Sequence, residues 1–250
     1  MAVKFSTQHE VVYYECDFNG RMTFPAMIAA AIKTSEDQSE ALNRGTDFVN
    51  KLGLTWILTN YQLQITRMPR VGEKLTISTM AMEYNKYFCY RHFWIADAQG
   101  NQLVLIESVF ALMNIENRKM ASVPEVVIAP YESEKVTRIR RYPKIEKVEE
   151  GQSQFYQVRV YDIDSNHHVN NAVYFNWLLD VLGMDFLTSH EPVSALIRYD
   201  KEIEYGVQVE SRYDQVPVPN ENGEALITTR HEIRVGAAVC CEANITWRKK

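Results

Sequence analysis

The sequence has only four cysteines among its 250 residues, and none of them shows the C-x-x-C spacing of a zinc or redox site. Cys240 and Cys241 are adjacent, and adjacent cysteines rarely form a disulfide because the bond would be strained. We therefore expect no metal and no cofactor. We expect reduced and mostly buried thiols at Cys16, Cys89, Cys240 and Cys241.

Long apolar runs are also absent. The longest one, residues 26–32, is far shorter than the ~20 residues that a membrane-spanning helix requires. Residues 1–10 lack the basic and apolar regions of a secretory signal. The formal net charge of −5 gives no global attraction to nucleic acid, and no common nucleic-acid-binding motif is present. We expect a cytoplasmic protein that neither inserts into membranes nor binds nucleic acid.

An internal repeat organises the chain. Each half begins with an alternating strand, passes through a polar turn and enters a long helix. Pro25 and Gly45 mark the start and the end of the first helix, because proline fits a first turn and glycine fits a left-handed cap. The predicted strands are residues 4–14 and 153–161, and the predicted helices are residues 24–44 and 170–187.

Four strand-like runs follow each helix, with Gly100 and Gly223 in corresponding hairpins. This order predicts an α+β fold in which each half is a curled antiparallel sheet around its own helix. The predicted strands are residues 55–66, 74–83, 87–96 and 102–114, then 193–205, 207–213, 225–235 and 237–247. The predicted domains are residues 1–124 and 152–250, joined by a linker over 125–151 that holds at most a short helix.

Two motifs in the second half resemble those of a known enzyme family. Residues 162–171 read D-I-D-S-N-H-H-V-N-N, which resembles the D-L-D-x-N-x-H-V-N-N signature of the acyl-acyl-carrier-protein (acyl-ACP) thioesterases of plants and bacteria. Residues 198–203, R-Y-D-K-E-I, lie where that family has a segment similar to Y-R-R-E-C. The resemblance implies a double hotdog fold and the hydrolysis of fatty acyl-ACP, which releases a fatty acid and ends chain elongation.

The resemblance also implies a set of catalytic residues. It places the catalytic carboxylate at Asp164, its neighbours at Asn166 and His168, and a second carboxylate at Glu202. Thioester hydrolysis needs a nucleophile or an activated water, a proton for the leaving thiol, and donors for the oxyanion. The two carboxylates can serve the first need and His168 the second, while the amide of Asn166 can orient Asp164 or the water.

Backbone N–H groups around Asn170 and Asn171, at the start of the predicted helix, can serve as oxyanion donors. Taken singly, acidic and amide residues before a helix are common N-caps, but the combination in the family's order favours catalysis.

One position departs from the family. Ile203 stands where a cysteine nucleophile has been considered, and an isoleucine cannot attack a carbonyl, so we expect carboxylate chemistry.

The first half repeats the turn in altered form. Asp17 and Asn19 preserve the acid and the amide, whereas Arg21 stands in place of the histidine and Gln64 in place of the second carboxylate. We therefore expect a single active site in the second half and an acyl pocket in the first half. The predicted lining of this pocket is one face of the first helix, formed by Met27, Ile28, Ala31 and Ile32.

The expected partner is acyl carrier protein, which is acidic and carries the acyl group on a phosphopantetheine arm. A cationic stretch in the linker suits such a partner, although charged linkers are often simply solvated. Its residues are Lys135, Arg138, Arg140, Arg141 and Lys144. We expect a monomer or a homodimer.

Three other functions are compatible with the pattern. A hotdog thioesterase that acts on coenzyme A thioesters would share the chemistry and differ in its docking surface. A hotdog hydratase or dehydratase would use a histidine and a carboxylate on a β-hydroxyacyl thioester. An acyl-binding protein without catalysis is the third alternative.

Overall fold

The computed structural model describes residues 2–218 and 225–250, so the predicted hairpin residue Gly223 lies outside the described residues. The described residues form two compact units. The first unit comprises residues 2–22, Ala26–Tyr61 and Pro69–Tyr142. The second comprises Thr23–Pro25, Gln62–Met68 and the described part of Pro143–Lys250. None of the described helices is long and apolar enough to span a membrane.

The first unit is a mainly antiparallel sheet with one long helix. Its strands are hydrogen-bonded in the order β1-β3-β4-β5-β2, and two short strands, β6 and β7, pair with β5 and β3. The strands are β1 (Lys4–Glu10), β2 (Leu54–Ile65), β3 (Lys74–Tyr84), β4 (Phe88–Ala96), β5 (Gln102–Asn114), β6 (Met120–Ala121) and β7 (Glu134–Lys135). The helices are α1 (Phe24–Ala41), α2 (Thr46–Lys51) and α3 (Glu125–Ile128), with 3-10 turns at Tyr13–Glu15 and Ala129–Tyr131.

Helix α1 packs on the apolar face of this sheet. Arg91 of β4 reaches α1 from that face, where its Nη1 donates to Gln38 Oε1 at 2.6 Å. Because strand side chains alternate, residues two and four positions along β4 lie on the same face as Arg91. That face carries the fully buried side chains Phe93 and Ile95 and, from β5, Val104 and Ile106. Burying each of these side chains contributes roughly 1.5–3 kcal/mol to the free energy of unfolding.

The end of α1 differs from the sequence expectation. The helix ends at Ala41, three residues before the predicted Arg44. Asn43 takes the left-handed backbone conformation, with φ of 55°, and the N–H of Arg44 donates back to Ser39 O at 2.7 Å. A left-handed asparagine is a known alternative to glycine at this position, so the expected role of Gly45 as the left-handed cap was wrong.

The second unit repeats the plan with the strand order β9-β12-β11-β10-β8, and every pairing in this sheet is antiparallel. Its strands are β8 (Gln152–Gln157), β9 (His190–Tyr199), β10 (Gln208–Val218), β11 (Leu226–Val235) and β12 (Ala238–Lys249). A 3-10 turn at Val160–Asp162 precedes α4 (Tyr174–Asp180) and α5 (Met184–Ser189). The element order strand, helix, meander therefore occurs twice, and the α+β prediction is confirmed.

The single long helix predicted over residues 170–187 was wrong. Gly183 has φ of 78° and separates α4 from α5. At the other end, the Asn170 side chain accepts the N–H of Ala172 at 2.8 Å, which forms a turn before α4 begins. Helix α4 is nevertheless buried as expected, and Ser211 Oγ of β10 donates to Trp177 O at 2.9 Å. Its buried residues are Tyr174, Phe175, Trp177 and Leu178.

Candidate active site

A tight turn in the second unit holds three of the four predicted catalytic residues. The N–H of Asp164 donates to His168 O at 3.0 Å, and the N–H of His167 donates to Asp164 O at 3.0 Å. The backbone N–H of Asn166 donates to Asp164 Oδ1 at 2.8 Å. Asp164 Oδ1 is therefore fixed by the turn, while Oδ2 accepts no hydrogen bond from any described residue. The second oxygen is available to a water or a substrate.

The turn stores backbone strain at His167, which has φ of 67°. A side chain with a Cβ in this region costs on the order of 1 kcal/mol, and the first unit has Gly20 at the equivalent position with φ of 68°. The strained conformation directs the chain back so that Ile163 and Val169 form a bridge. His168 is thereby held beside the turn that it closes.

Glu202 faces His168 from a different segment. His168 Nε2 lies 3.4 Å from Glu202 Oε1, with side-chain exposures of 14% and 36%. The sequence predicted Glu202 on a strand, but β9 ends at Tyr199. The N–H groups of Asp200 and Lys201 both donate to Cys240 O, at 2.8 and 3.2 Å, which ends the regular pairing with β12.

The chain after this bend is tied to the catalytic turn, because the N–H of Val169 donates to Ile203 O at 2.8 Å.

The contacts of the His168 ring indicate which of its nitrogens carries a hydrogen. His168 Nδ1 lies 3.3 Å from Val169 O, and a carbonyl oxygen can only accept, so Nδ1 carries a hydrogen in this contact. Nε2 of the same ring faces Glu202 Oε1 across the 3.4 Å contact. The pair therefore places an imidazole beside a carboxylate, and groups of this kind can pass a proton to or from a reacting atom.

The backbone N–H groups of Asn170, Asn171 and Ala172 follow the turn, and two of them are hydrogen-bonded. The N–H of Asn170 donates to Asp162 O at 2.9 Å, and that of Ala172 donates to the Asn170 side chain at 2.8 Å. The N–H of Asn171 between them donates to no acceptor in the described residues. Of the two donors expected from the sequence, the structure therefore leaves only Asn171 available.

Asp162 has a structural role. It is 1% exposed, and the guanidinium of Arg159 donates to Oδ1 at 2.8 Å while the Arg159 backbone N–H donates to Oδ2 at 2.8 Å. These bonds satisfy the buried carboxylate and close the 3-10 turn that leads into the catalytic turn. Asp162 therefore positions the backbone that binds Asn170.

Tyr174 belongs to the predicted apolar stripe of the helix and also lies near the candidate site. Its ring is 2% exposed and packs edge-on against Tyr199 at 5.2 Å. Burial raises the pKa of the Tyr174 hydroxyl far above its ordinary value, with smaller contributions from the thiols of Cys241 and Cys240 and the carboxylates of Glu202 and Asp164. The hydroxyl is therefore neutral and lies within electrostatic reach of both site carboxylates.

The first unit contains a copy of the turn in which three of its hydrogen bonds recur. The N–H of Asp17 donates to Arg21 O at 2.7 Å, that of Gly20 to Asp17 O at 2.9 Å, and that of Asn19 to Asp17 Oδ1 at 2.8 Å. Here, however, Arg21 Nε donates to Asp17 Oδ2 at 3.0 Å. The oxygen that is open in Asp164 is occupied in Asp17. Gln64, which aligns with Glu202, is an exposed residue of β2.

The predicted pocket residues lie on α1. Met27, Ile28 and Ala31 are at most 2% exposed, and Ile32 is half-buried. A buried face of this kind serves equally as packing or as a pocket lining, so the acyl pocket stays a prediction.

Comparison with protein families identifies the chain. The family model of the acyl-ACP thioesterase N-terminal domain matches residues 2–131, and that of the acyl-ACP thioesterase C-terminal domain matches residues 145–249. The chain belongs to the acyl-ACP thioesterase family. The predicted resemblance is thereby confirmed.

Curated relatives in this family include two acyl-[acyl-carrier-protein] hydrolases of Cuphea viscosissima. One is 28% identical over 180 residues, which are 68% of this chain and 43% of the relative. The other is 30% identical over 160 residues, which are 61% of this chain and 39% of the relative. The chain thus spans less than half the length of these chloroplastic relatives.

Two solved structures resemble the chain over nearly all of its length. A crystal structure from Lactobacillus plantarum, named provisionally as an oleoyl thioesterase, is 42% identical, with a TM-score of 0.93 over 99% of this chain and 97% of that one. The 12:0-ACP thioesterase of Umbellularia californica is 18% identical, with a TM-score of 0.83 over 99% of this chain and 94% of that one. The second likeness shows the fold, and the double hotdog prediction is confirmed.

At the position where a cysteine nucleophile was considered, the chain has a buried isoleucine. Ile203 is 2% exposed. Burial raises the pKa of the Cys241 thiol well above its usual range and that of Cys89 to about 12, so both stay protonated. All four cysteines are free, as predicted.

Proposed function

We propose that this chain hydrolyses the thioester of fatty acyl-ACP at one site in its second unit. The observation that carries the proposal is the 3.4 Å contact of His168 Nε2 with Glu202 Oε1 beside a turn that leaves Asp164 Oδ2 open. This arrangement supplies an open carboxylate oxygen and an imidazole that can give a proton to the leaving thiol, which serve two of the needs of thioester hydrolysis.

Asp164 starts the reaction. Its Oδ1 is fixed by the N–H of Asn166, so Oδ2 is the oxygen that attacks the carbonyl carbon or takes a proton from the attacking water. The role of Asn166 in this proposal belongs to its backbone N–H, whereas the sequence suggested the side-chain amide. Both routes consume one water and yield a fatty acid and a thiol.

His168 and Glu202 complete the proton path. As the carbon–sulfur bond breaks, the imidazole gives the proton of Nε2 to the leaving sulfur, and Glu202 stabilises the charged imidazolium beforehand. Nδ1 stays directed at Val169 O, which keeps the ring in one orientation. The developing oxyanion is bound by the N–H of Asn171, and such a donor typically contributes roughly 3–4 kcal/mol.

The remaining parts of the proposal concern the substrate. We place the acyl pocket on the α1 face of the first unit, because Met27, Ile28 and Ala31 are apolar and the turn in that unit has lost its open carboxylate. The relatives from Cuphea viscosissima are named as hydrolases of acyl-[acyl-carrier-protein], which supports acyl carrier protein as the partner. Cytoplasmic location and oligomeric state stay predictions from the sequence.

The test compares matched substrates. The purified chain is given palmitoyl-ACP and palmitoyl-coenzyme A, thiol release is followed with a thiol reagent, and the free fatty acid is identified by mass spectrometry. We expect fatty acid from both substrates and a clearly higher kcat/KM for the carrier-protein thioester. Preference for coenzyme A would contradict the assigned partner. Loss of water from a β-hydroxyacyl thioester without thiol release would contradict hydrolysis itself.

A further inference from the structure

Residues 134–142 of the linker form a strap that lies against the first sheet. Strand β7 pairs in parallel with Glu83 and Tyr84 at the end of β3, and the N–H of Val136 donates to Tyr84 O at 2.8 Å. Farther along, Asn85 Nδ2 donates to Arg138 O at 3.2 Å. The strap is therefore bound to the sheet through its backbone at successive points.

Arg140 turns towards the sheet. Its Nε lies 3.2 Å from Glu83 Oε1, and its Nη1 lies 3.2 Å from Glu107 Oε1 and 3.4 Å from His92 Nε2. Its backbone N–H donates to the hydroxyl of Tyr90 at 3.1 Å. Tyr90 and His92 alternate with Arg91, which points to α1, so this cluster lies on the face of the sheet opposite the helix.

This geometry separates Arg140 from the other cations of the stretch predicted to meet a carrier protein. Glu83 and Glu107 are 10% and 18% exposed, and a guanidinium held between two such carboxylates is committed to the fold. The expectation that Arg140 steers a partner is therefore corrected. Lys144 belongs to the second unit and is not part of the strap.

The residues next to Arg140 are exposed to solvent instead. Arg138 and Arg141 are exposed and form no ion pair within the described residues, and Ile139 between them is 65% exposed. Lys135 is also exposed and forms no ion pair within the described residues. A surface with an apolar centre and a cationic rim matches an acidic protein with exposed apolar side chains.

We propose that Arg138, Ile139 and Arg141 form the docking surface for the acidic carrier protein that bears the phosphopantetheine thioester. Arg140 is a positioning residue that holds this surface outward. The inference rests on the proposed function, since it names the surface by which the proposed substrate is recognised. Exposed charges act mainly on the association rate and are screened by salt. Changing them should therefore alter KM, and the change should be largest at low ionic strength.

The test uses charge reversal and two substrates with the same acyl group. Palmitoyl-ACP requires protein docking, and the palmitoyl thioester of N-acetylcysteamine does not. The double variant Arg138→Glu, Arg141→Glu is expected to raise KM for palmitoyl-ACP at least tenfold at low salt and to leave kcat and the small substrate unchanged. In the wild type, added salt should raise KM for palmitoyl-ACP, and this dependence should weaken in the double variant.

A matched control is Lys74→Glu. Lys74 is exposed at the opposite end of β3 from Tyr84, about 30 Å along the strand, so it tests charge without the strap. KM for palmitoyl-ACP should stay within twofold of wild type. Arg140→Gln should raise KM for palmitoyl-ACP severalfold without affecting hydrolysis of the small substrate. Arg140→Lys, which keeps the charge, should raise KM for palmitoyl-ACP less. A purely structural role would change both substrates alike.

Binding of fluorescently labelled holo-carrier protein, followed by anisotropy, separates this inference from the proposed function. Wild-type binding that is lost in the double variant supports the docking surface even if no hydrolysis is seen. Equal binding by wild type and double variant, or no binding by wild type, overturns it. Hydrolysis of palmitoyl-ACP with unchanged KM in the double variant would likewise overturn it while leaving the proposed function intact.

Discussion

Arg21 binds the carboxylate of Asp17, with its Nε at 3.0 Å and its Nη2 at 2.9 Å from Oδ2. Three hydrogen bonds of this turn recur in the Asp164 turn, and the Asp17 copy adds a bond from the N–H of Arg21 to Asp17 Oδ1 at 3.0 Å. The guanidinium occupies in Asp17 the carboxylate oxygen that is open in Asp164. We therefore predict that the Asp164 copy of the turn carries the chemistry and the Asp17 copy does not.

Asp164→Asn is the first prediction, and Asp17→Asn is its matched control. Asparagine keeps an oxygen for the N–H of Asn166 but removes the basic carboxylate, so the turn should persist. We expect hydrolysis of acyl-ACP to fall by roughly 10²–10⁴, the usual contribution of a general base. Initial rates of thiol release measure this loss, and the melting temperature verifies folding.

Asp17→Asn should keep turnover within a few-fold of wild type and lower the melting temperature, because it breaks a partly buried ion pair. Comparable losses of activity in the two folded variants would mean that both turns carry chemistry.

The second prediction concerns the pair formed by His168 and Glu202. Glu202→Ala and His168→Gln should each lower kcat strongly, and the double variant should be little worse than the single ones, since residues that act as a unit are not additive. Gln64→Ala, at the position of β2 that aligns with Glu202, is the matched control and should stay within a few-fold of wild type. Full additivity in the cycle would show that the 3.4 Å contact is not used in catalysis.

The sequence carried much of this arrangement and missed the rest for identifiable reasons. The alternating strands and the repeated turn are local patterns, and they were predictable because strand period and turn chemistry act over a few residues. The break at Gly183 was missed because apolar residues continue on both sides of it. The inward turn of Arg140 was missed because it depends on carboxylates from β3 and β5, which are distant in sequence.

The third prediction tests the acyl pocket on α1. Ala31→Leu should shift preference towards shorter acyl chains, because each methylene that no longer fits forfeits about 0.8 kcal/mol of burial. Ala31 is 1% exposed, so overpacking costs roughly 1–3 kcal/mol, and Ile32→Phe at a half-buried position is a gentler second variant. The shift is measured as the ratio of kcat/KM values for acyl-ACP substrates with about eight to eighteen carbons.

Ala29→Leu is the control for this series, since Ala29 lies on the same helix and is exposed. Its chain-length profile should match that of the wild type. Unchanged profiles in folded Ala31→Leu and Ile32→Phe would place the pocket away from this face.

The last prediction is a pH dependence of stability that originates at His231. This residue is 1% exposed, its Nε2 lies 2.8 Å from Thr229 Oγ1, and its Nδ1 is sealed without a partner among the described residues. Burial lowers the pKa of His231 to about 3, and the charge of Asp214 opposes this only in part. The folded chain thus keeps the ring neutral, while the unfolded chain takes up a proton below the ordinary pKa near 6.5.

Because the unfolded state binds more protons in this window, the free energy of unfolding should fall as pH decreases from about 6.5 towards 3. The slope contributed by His231 approaches about 1.4 kcal/mol per pH unit. His231→Gln removes the titration while its amide can still donate to Thr229, so the variant should be less stable at pH 7.5 but lose stability less steeply on acidification. Urea unfolding at a series of pH values measures both slopes. Parallel slopes for wild type and variant would show that acid unfolding is governed by other groups.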